Sequence, residues 1–371
     1  MTKLIDICDI QYGYAFDSAC FTEDDSYLPL VRIRDVKRGF SETFYSGEYP
    51  EEYVIHKGDL IVGMDGEFNI ARWKSIDALL NQRVCKLKAK EGTNEEYLRF
   101  ALVKALKTIE DKTAFVTVKH LSAKELNKLE LDMPGIEEQN VRAESMAKLE
   151  KVISHRKEEL SALDNLIKAR FVEMFGDPRS NPFGFEKKRL KDTCKVITGN
   201  TPSRAIEEYY GDYIEWIKTD NIVSGILNPT QATESLSEKG MNVGRTVEKD
   251  SILMACIAGS IASIGRVCIT DRTVAFNQQI NAVVPEQYNI LFLYVLFQMS
   301  KDYLVEDINM ALKGILSKSK LEEKEFIIPP MDLQEQFSDF VKQVDKSKVA
   351  VQKALDETQM LFDSLMQKYF A

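Results

Sequence analysis

The residue types that most often carry catalysis or bind metals occur in this chain without the spacing that such chemistry needs. Its six cysteines and three histidines are scattered, with no CxxC pair and no HExxH helix motif, so neither a zinc site nor a disulfide framework is predicted. The glycine-rich segment 259–265 lacks the spacing and the Lys-Ser/Thr ending of a phosphate-binding loop. Acidic pairs such as Glu51-Glu52 are interpreted as solvated charge. The sequence therefore favours binding over catalysis.

Composition predicts a soluble protein with more than one hydrophobic core. The chain has 371 residues, of which 44% are hydrophobic and 29% charged, which is long for a single domain. Its net charge of −9 argues mildly against nucleic acid as a ligand, although charge can be segregated by face. The longest apolar run, 290–297, is too short to span a bilayer. We expect a cytoplasmic protein that does not enter a membrane.

The clearest organising feature is an internal duplication. Shifting the sequence by 186 residues, the separation of Cys8 and Cys194, aligns the second part of the chain with the first. Other identical pairs in this alignment are Leu4 with Leu190, Asp6 with Asp192, Gly13 with Gly199, Tyr27 with Tyr213 and Gly39 with Gly225. Further along, Asn81-Gln82 matches Asn277-Gln278, and the segment ending in Gln139 matches the one ending in Gln336. Ordered matches of this kind indicate a repeat.

Each copy is predicted to end in one long helix with a coiled-coil pattern. Apolar residues recur at alternating spacings of three and four, the period of a helix–helix seam. The packing positions are Leu149, Ile153, Leu160, Leu163 and Ile167 in the first helix, and Val344, Val351, Leu355, Phe362 and Leu365 in the second. Lys348, Thr358, Arg156 and Arg170 interrupt the seams. We expect the two helices to pack antiparallel; the alternative is that each folds back on its own copy.

These patterns predict an α+β fold with approximate two-fold symmetry. Two homologous mixed domains, each with short strands and one shorter helix, are joined and separated by the two long helices. A Gly/Pro-rich segment around Gly176 and Pro182 ends the first helix. The predicted parts are a first domain at 1–136, a helix at 137–176, a linker at 177–185, a second domain at 186–332 and a helix at 333–371.

The ordered motifs resemble the specificity subunit of type I restriction-modification enzymes. In the second copy the resemblance rests on the segments 199–204, 213–222, 276–278 and 328–336. In the first copy it rests on 13–16, 28–34, 81–82 and 136–139. The copies also differ, since the first lacks the Thr-Pro-Ser of 201–203 and the tryptophan at 216.

The resemblance implies a non-catalytic subunit that binds double-stranded DNA. Each domain would read one half of a split, asymmetric site, and the helices would set the spacer and dock two methyltransferase subunits. S-adenosylmethionine would then bind to those subunits, whereas ATP and magnesium would bind to a nuclease subunit where one is present. No cofactor is expected in this chain itself.

Candidate DNA contacts follow from residue type, since Arg, Asn and Gln read base edges and Lys positions the backbone. In the first copy the candidates are Arg32, Arg34, Lys37, Arg38, Asn69, Arg72 and Lys74, and in the second Ser203, Arg204, Lys218, Asn221, Ser260, Ser263 and Arg266. Asn81-Gln82 and Asn277-Gln278 are more readily interpreted as structural ties between a strand end and a loop. Trp73 and Trp216 are expected in the core.

Two other classes of function remain open on the sequence alone. A coiled-coil scaffold or dimerisation protein without DNA specificity would need no basic surface on its domains. A self-contained modification enzyme would need a cofactor pocket of its own.

Overall fold

The computed structural model describes residues 1–112, 120–308 and 314–370, which form two compact units. Unit 1 comprises Met1–Lys157 and Lys353–Ala371, and unit 2 comprises Glu158–Gln352. Each unit therefore contains one globular domain and a part of both long helices.

The helices of the described residues include two that are much longer than the rest. In chain order they are α1 (Leu4–Ile7), α2 (Ile33–Arg38), α3 (Glu95–Lys112), α4 (Ala123–Lys128), α5 (Ile136–Phe175), α6 (Glu238–Val243), α7 (Ile290–Met299), α8 (Lys301–Val305), α9 (Lys318–Glu323) and α10 (Met331–Phe370). With 40 residues each, α5 and α10 are about 60 Å long at the usual helical rise.

The strands are short, as the closely spaced turn residues predict. Those of unit 1 are β1 (Thr2–Lys3), β2 (Cys8–Tyr12), β3 (Phe21–Thr22), β4 (Leu28–Val31), β5 (Phe44–Tyr45), β6 (Val54–Ile55), β7 (Leu60–Gly63), β8 (Ile70–Arg72), β9 (Ala78–Leu80), β10 (Val84–Ala89) and β11 (Glu130–Leu131). Those of unit 2 are β12 (Lys187–Arg189), β13 (Cys194–Thr198), β14 (Tyr210–Gly211), β15 (Ile214–Ile217), β16 (Ser235–Leu236), β17 (Thr246–Val247), β18 (Ile252–Ala255), β19 (Ile257–Ala258), β20 (Val267–Ile269), β21 (Val274–Phe276), β22 (Ile280–Pro285), β23 (Gly314–Ile315) and β24 (Glu325–Ile327).

Sheet topology confirms the duplication and the α+β fold. Unit 1 has sheets in the orders β2-β10-β7-β8, β3-β5-β4-β9-β6 and β1-β11. Unit 2 repeats them as β13-β22-β18-β20, β14-β16-β15-β21-β17 and β12-β24, and adds the pair β19-β23. Among the named strands, β4 pairs in parallel with β9, and β15 pairs in parallel with β21. The central strands β7 and β18 are buried along their whole length, as their apolar sequences require.

A close backbone contact recurs at the first aligned glycine of each copy. A Cβ atom on Gly13 would lie 2.0 Å from the carbonyl oxygen of Asn81, and one on Gly199 would lie 2.2 Å from that of Asn277. Tyr14 N donates to the carbonyl of Leu80 across the first contact. Only glycine allows such an approach. Both asparagines are buried, and each lies where the end of a strand meets the neighbouring loop.

A buried glutamine fastens the start of each long helix to its domain. The Oε1 atom of Gln139 accepts from Asn94 N at 2.9 Å, and Gln334 Oε1 accepts from Asn289 N at the same distance. Their Nε2 atoms donate to the carbonyls of Pro134 and Pro329, each at 2.8 Å. The structural equivalent of Gln139 is therefore Gln334. Matching it with Gln336 by sequence is wrong by two residues, because in both copies the glutamine lies five residues after the proline whose carbonyl it bonds.

The long helices pack against each other in both units. In unit 1, Met146 of α5 lies in an apolar cluster with Phe362, Leu365 and Met366 of α10. In unit 2, Phe171 and Phe175 of α5 contact Phe337 of α10, with ring centroids 5.6 and 5.5 Å apart. The start of each helix meets the end of the other, so the pair is antiparallel.

The predicted seam residues face these contacts. Ile153, Ile167, Val344, Val351 and Leu355 are buried, and Leu149, Leu160, Leu163, Phe362 and Leu365 are half-buried. Among the described helices, none is both long and apolar enough to cross a membrane.

Candidate DNA interface

In unit 1 the candidate residues cluster around the short helix α2. Strand β4 ends at Val31, and the backbone N–H of Arg32 donates to Asp35 Oδ2 at 3.0 Å, which fixes the first turn of α2. At its other end Gly39 adopts the left-handed conformation, with φ of 79°, which glycine accommodates without strain. Arg32 and Arg34 are thereby held, exposed, at the start of α2.

A groove of about 450 Å³ beside this turn brings several polar groups together. Its lining comprises Phe16, Ser18, Phe21, Arg32, Ile33, Arg34, Asn81, Gln82 and Arg83. Two predicted arginines thus share a surface with the Asn-Gln motif. Planar donors in one groove suit hydrogen bonding to base edges.

Arg83 is a groove residue that sequence reasoning missed. It takes an unusual positive φ of 74°, and its guanidinium donates to Asp65 Oδ2 at 2.6 Å. Asp65 also contacts the ring of His120. The signal that could have found it is its position directly after Asn81-Gln82, where the second copy has Gln279.

Four other candidates of unit 1 lie near the second half of α2 and in the loops on either side of β8. Lys37 is 3.8 Å from Glu67, and Arg38 is 3.4 Å from Glu42. The side chain of Asn69 donates to the carbonyl of Glu67 at 3.4 Å, and the N–H of Lys74 donates to the carbonyl of Gly39 at 3.3 Å. Lys37, Arg38 and Lys74 are exposed and can move to a phosphate.

Arg72 differs from the other candidates because its partners are internal. It bonds the carbonyl of Gly58 at 2.7 Å, Glu95 at 2.8 Å and Glu96. Burial would raise the pKa of Glu96, but Arg99 and Arg72 together hold it below its ordinary value. In the free protein Arg72 joins β8 to α3, and it does not line the groove.

In unit 2 two candidate cations share one carboxylate. Arg204 Nη2 lies 2.6 Å from Glu234 Oε2, and Lys218 Nζ bonds the other oxygen of Glu234. The guanidinium carbon of Arg204 is 4.5 Å from the ring centroid of Tyr210 and 5.2 Å from that of Trp216. Hydrogen bonding from Lys218, despite burial and with help from Arg204, lowers the pKa of Glu234. Ser203, the next candidate, is exposed.

Asn221 is buried and acts within the protein. Its Oδ1 accepts from Lys218 N at 3.0 Å, which repeats the contact between Asp35 and Arg32. Its Nδ2 donates to Thr230 Oγ1 at 3.2 Å and to the carbonyl of Gln231 at 3.1 Å. Asn221 therefore shapes the turn that presents Lys218.

The remaining candidates of unit 2 adjoin that turn. Ser260 Oγ and Ser263 Oγ are 3.0 Å apart, and Arg266 Nε donates to the carbonyl of Ser263 at 3.2 Å. Arg266 Nη2 reaches the carbonyl of Thr219 at 3.4 Å. Arg266 thus joins the loop 259–265 to the turn that presents Lys218.

Elsewhere the described residues contain no group of three or more His, Cys, Asp or Glu that could hold a metal ion. Burial raises the pKa of five thiols to about 12, those of Cys8, Cys85, Cys194, Cys256 and Cys268. Thiols that stay protonated are poor nucleophiles.

Fold and site together define a duplicated binding protein whose two domains present different polar groups on one scaffold. The family model of the type I restriction modification DNA specificity domain matches the chain twice, over residues 1–164 and 182–358. The chain belongs to this family, and each copy is a DNA specificity domain. This confirms the predicted resemblance and DNA function, and the alternative of a scaffold without DNA specificity is not favoured.

Characterised relatives agree with this assignment. The EcoBI specificity subunit of Escherichia coli is 28% identical over 398 aligned residues, which cover 98% of this chain and 84% of the relative. The MjaIX specificity subunit of Methanocaldococcus jannaschii is 24% identical and covers 78% of this chain and 71% of its own length.

Solved structures show the same fold. The specificity subunit of a type I system from M. genitalium matches with a TM-score of 0.61 at 15% identity, over 100% of this chain and 95% of that one. A chain from a study of complex assembly and conformational transition in a type I system matches with a TM-score of 0.54 at 17% identity, over 100% and 96% of the two chains.

Proposed function

We propose that each unit reads one half of a split, asymmetric DNA site. The observation that carries this proposal is the combination of one repeated fold with unlike side chains at matched positions. Where unit 1 has Arg32 and Arg83, unit 2 has Lys218 and Gln279. Arginine pairs with guanine and glutamine with adenine, so the two units prefer different bases. Identical copies would instead read a palindrome.

The long helices set the spacer and dock two methyltransferase subunits. Helices about 60 Å long can place two readers on half-sites separated by about one turn of DNA, 34 to 36 Å. Leu166 and Leu361 occupy equivalent positions of α5 and α10 and are 47% and 49% exposed. Exposed apolar side chains that recur on both helices support two equivalent docking surfaces.

The chain contributes recognition, and catalysis comes from its partners. S-adenosylmethionine binds to the methyltransferase subunits, and ATP and magnesium bind to a nuclease subunit where one is present. The assembly works on DNA in the cytoplasm. S-adenosylmethionine bound by the purified chain at micromolar affinity would contradict this division of labour.

The direct experiment is to express the chain with its methyltransferase subunits and map adenine methylation by long-read sequencing. We expect a motif of two unlike half-sites separated by unread bases. A continuous palindrome would refute the proposal.

Exchanges of parts separate the two roles. Replacing residues 1–136 by the domain of a relative should change one half-site only. Lengthening α5 by about one turn should change only the spacer. Either exchange altering both halves would contradict the division of roles.

Single substitutions test the groove of unit 1. Arg83→Ala should weaken the free energy of DNA binding by about 1–3 kcal/mol and relax the sequence preference at one position of one half-site. Lys37→Ala is a matched control on the same surface. It should weaken DNA binding equally on all sequences, and the slope of log K against log salt concentration should become shallower by about one. If Arg83→Ala lost the same affinity for all DNA sequences, Arg83 would not be a residue that reads a base.

A further inference from the structure

Lys348 is a charged residue in the apolar seam of the long helices, and it has two partners in unit 2. Its ammonium lies 2.7 Å from Asp164 Oδ1 on the facing helix and 3.2 Å from the carbonyl oxygen of Gly225. The Lys348 side chain is only 16% exposed. A buried lysine at a seam position costs stability relative to an apolar residue. Its contacts therefore point to a role other than holding the helices together.

Gly225 belongs to the loop that follows the turn beside Asn221. The base of this loop is closed where Thr230 N donates to the carbonyl of Asn221 at 3.0 Å. Its tip lies against the helices, since a Cβ atom on Gly225 would be 3.7 Å from Asp164 Oδ2. The helix pair thus holds one end of a loop whose other end carries Lys218 and Asn221.

The loop has room to shift if it is released. A cavity of about 360 Å³ lies beside it, and its lining includes Asp164, Ser224, Gly225, Arg266, Asp345 and Lys348. Arg266 connects this cavity to the loop 259–265 through the carbonyl of Ser263. Both candidate reading segments of unit 2 therefore border the same space.

Unit 1 is built differently at the equivalent positions. The two long helices align at a shift of 195 residues, which is also the separation of Asn94 and Asn289. In this alignment Ile153 of α5 corresponds to Lys348 of α10, and Gln359 of α10 corresponds to Asp164 of α5. Ile153 is buried, and Gln359 Nε2 donates to Asp363 of its own helix at 2.9 Å. The carbonyl of Gly39, the counterpart of Gly225, accepts from the N–H of Lys74 within the domain.

We propose that Lys348 and Asp164 are positioning residues that couple the helix pair to the DNA-reading turn of unit 2. The pair sets how strictly unit 2 reads its half-site, whereas unit 1 fixes its own turn through Lys74. This inference rests on the proposed function, because it assumes that each unit reads one half-site.

The test uses the full chain in complex with its methyltransferase subunits. DNA substrates carry single-base changes in one half-site or the other, and the rate of methylation of each is measured. Lys348→Met removes the ammonium and keeps an apolar side chain of similar length. Discrimination is the ratio of the methylation rate on the cognate site to that on a changed site. For changes in the half-site of unit 2 we expect this ratio to fall about threefold to tenfold in Lys348→Met, which is typical of the loss of a coupling contact. Discrimination in the other half-site should stay unchanged.

Two further variants separate positioning from stability. Lys348→Arg can still donate to both partners and should retain discrimination. Ile153→Met, the matched control in the first copy, should leave both half-sites unaffected. The melting temperature of Lys348→Met is measured in parallel, because the substitution fills the seam with an apolar residue but leaves the carboxylates of Asp164 and Asp345 without their nearby ammonium. A loss of discrimination without a loss of stability supports positioning.

Three outcomes would overturn the inference. They are unchanged discrimination by Lys348→Met, equal loss in both half-sites, and a loss that merely follows a lower melting temperature. In these cases a wild-type complex that methylates a split site leaves the proposed function intact. A wild-type complex that methylates no split site refutes both proposals.

Discussion

The close approach of Gly13 to Asn81 allows a stability effect to be worked out from the structure. In Gly13→Ala the new Cβ atom would lie 2.0 Å from the carbonyl oxygen of Asn81 and 2.8 Å from that of Leu80. Both neighbours are backbone atoms and cannot rotate away. Two hydrogen bonds cross this contact, from Gly13 N to Val84 at 3.0 Å and from Tyr14 N to Leu80 at 2.9 Å.

The expected cost is the sum of overpacking and weakened hydrogen bonding. Overpacking costs about 1–3 kcal/mol, and two net hydrogen bonds contribute about 1 kcal/mol each. The free energy of unfolding of unit 1 should fall by roughly 3–5 kcal/mol if both bonds are lost. At about 2–4 °C per kcal/mol for a unit of this size, the melting temperature of unit 1 should fall by roughly 6–20 °C.

Differential scanning calorimetry of the full chain gives the measurement. Gly199→Ala, which meets Asn277 at 2.2 Å, should produce a comparable drop in unit 2. Gly259→Ala is the control, because nothing lies within 4 Å of its Cβ position and its φ is outside the left-handed region. If Gly13→Ala has the same melting temperature as the Gly259→Ala control, the backbone contact does not exist as described.

Three further substitutions or treatments test other parts of the structure. Gln334→Leu should destabilise unit 2 by about 2–4 kcal/mol in urea unfolding, because it leaves the N–H of Asn289 and a proline carbonyl buried without a partner; an unchanged midpoint would contradict this. Glu234 has a pKa below its ordinary value of 4.5, so its ion pairs stabilise above that pH and are lost as pH falls through the lowered value. Glu234→Gln should therefore lose less stability on acidification than the wild type. Because Lys218 and Arg204 are then freed, the slope of log K for DNA binding against log salt concentration should become steeper by up to about two. If the stability of the variant and that of the wild type fall in parallel with pH, the result would argue against the ion pairs. In the native protein, maleimide should label Cys20 before the other five thiols, whose burial raises their pKa to about 12; mass spectrometry showing early labelling of Cys256 would contradict that burial.

The features that the sequence could predict are those that repeat over long stretches. The seam of α10 is a periodic pattern over 40 residues, and the duplication is visible because Gly13 and Gly199 obey the same backbone constraint. Such signals do not depend on knowing which loops meet. The close backbone contact at Asn81 was predictable for the same reason, because it recurs at Asn277.

The details of the candidate interface depend on contacts between distant residues. Asn221 has the type of a base reader, but its amide is used by Thr230 and Gln231. Arg72 meets carboxylates of α3 that follow it by more than twenty residues. The positive φ of Arg83 has no sequence signature. Residue type alone therefore does not separate side chains that face outward from those that shape the loop.

The glutamine contacts at the start of the two long helices have an evolutionary consequence. Gln139 and Gln334 bond equivalent partners with equal distances, so the attachment of a domain to its helix is the same in both copies. Genetic recombination with a crossover near these codons would join a foreign domain to the resident helix with the attachment intact. New DNA specificities can then arise in one step, by inheritance of a whole domain, without a destabilised intermediate for selection to remove.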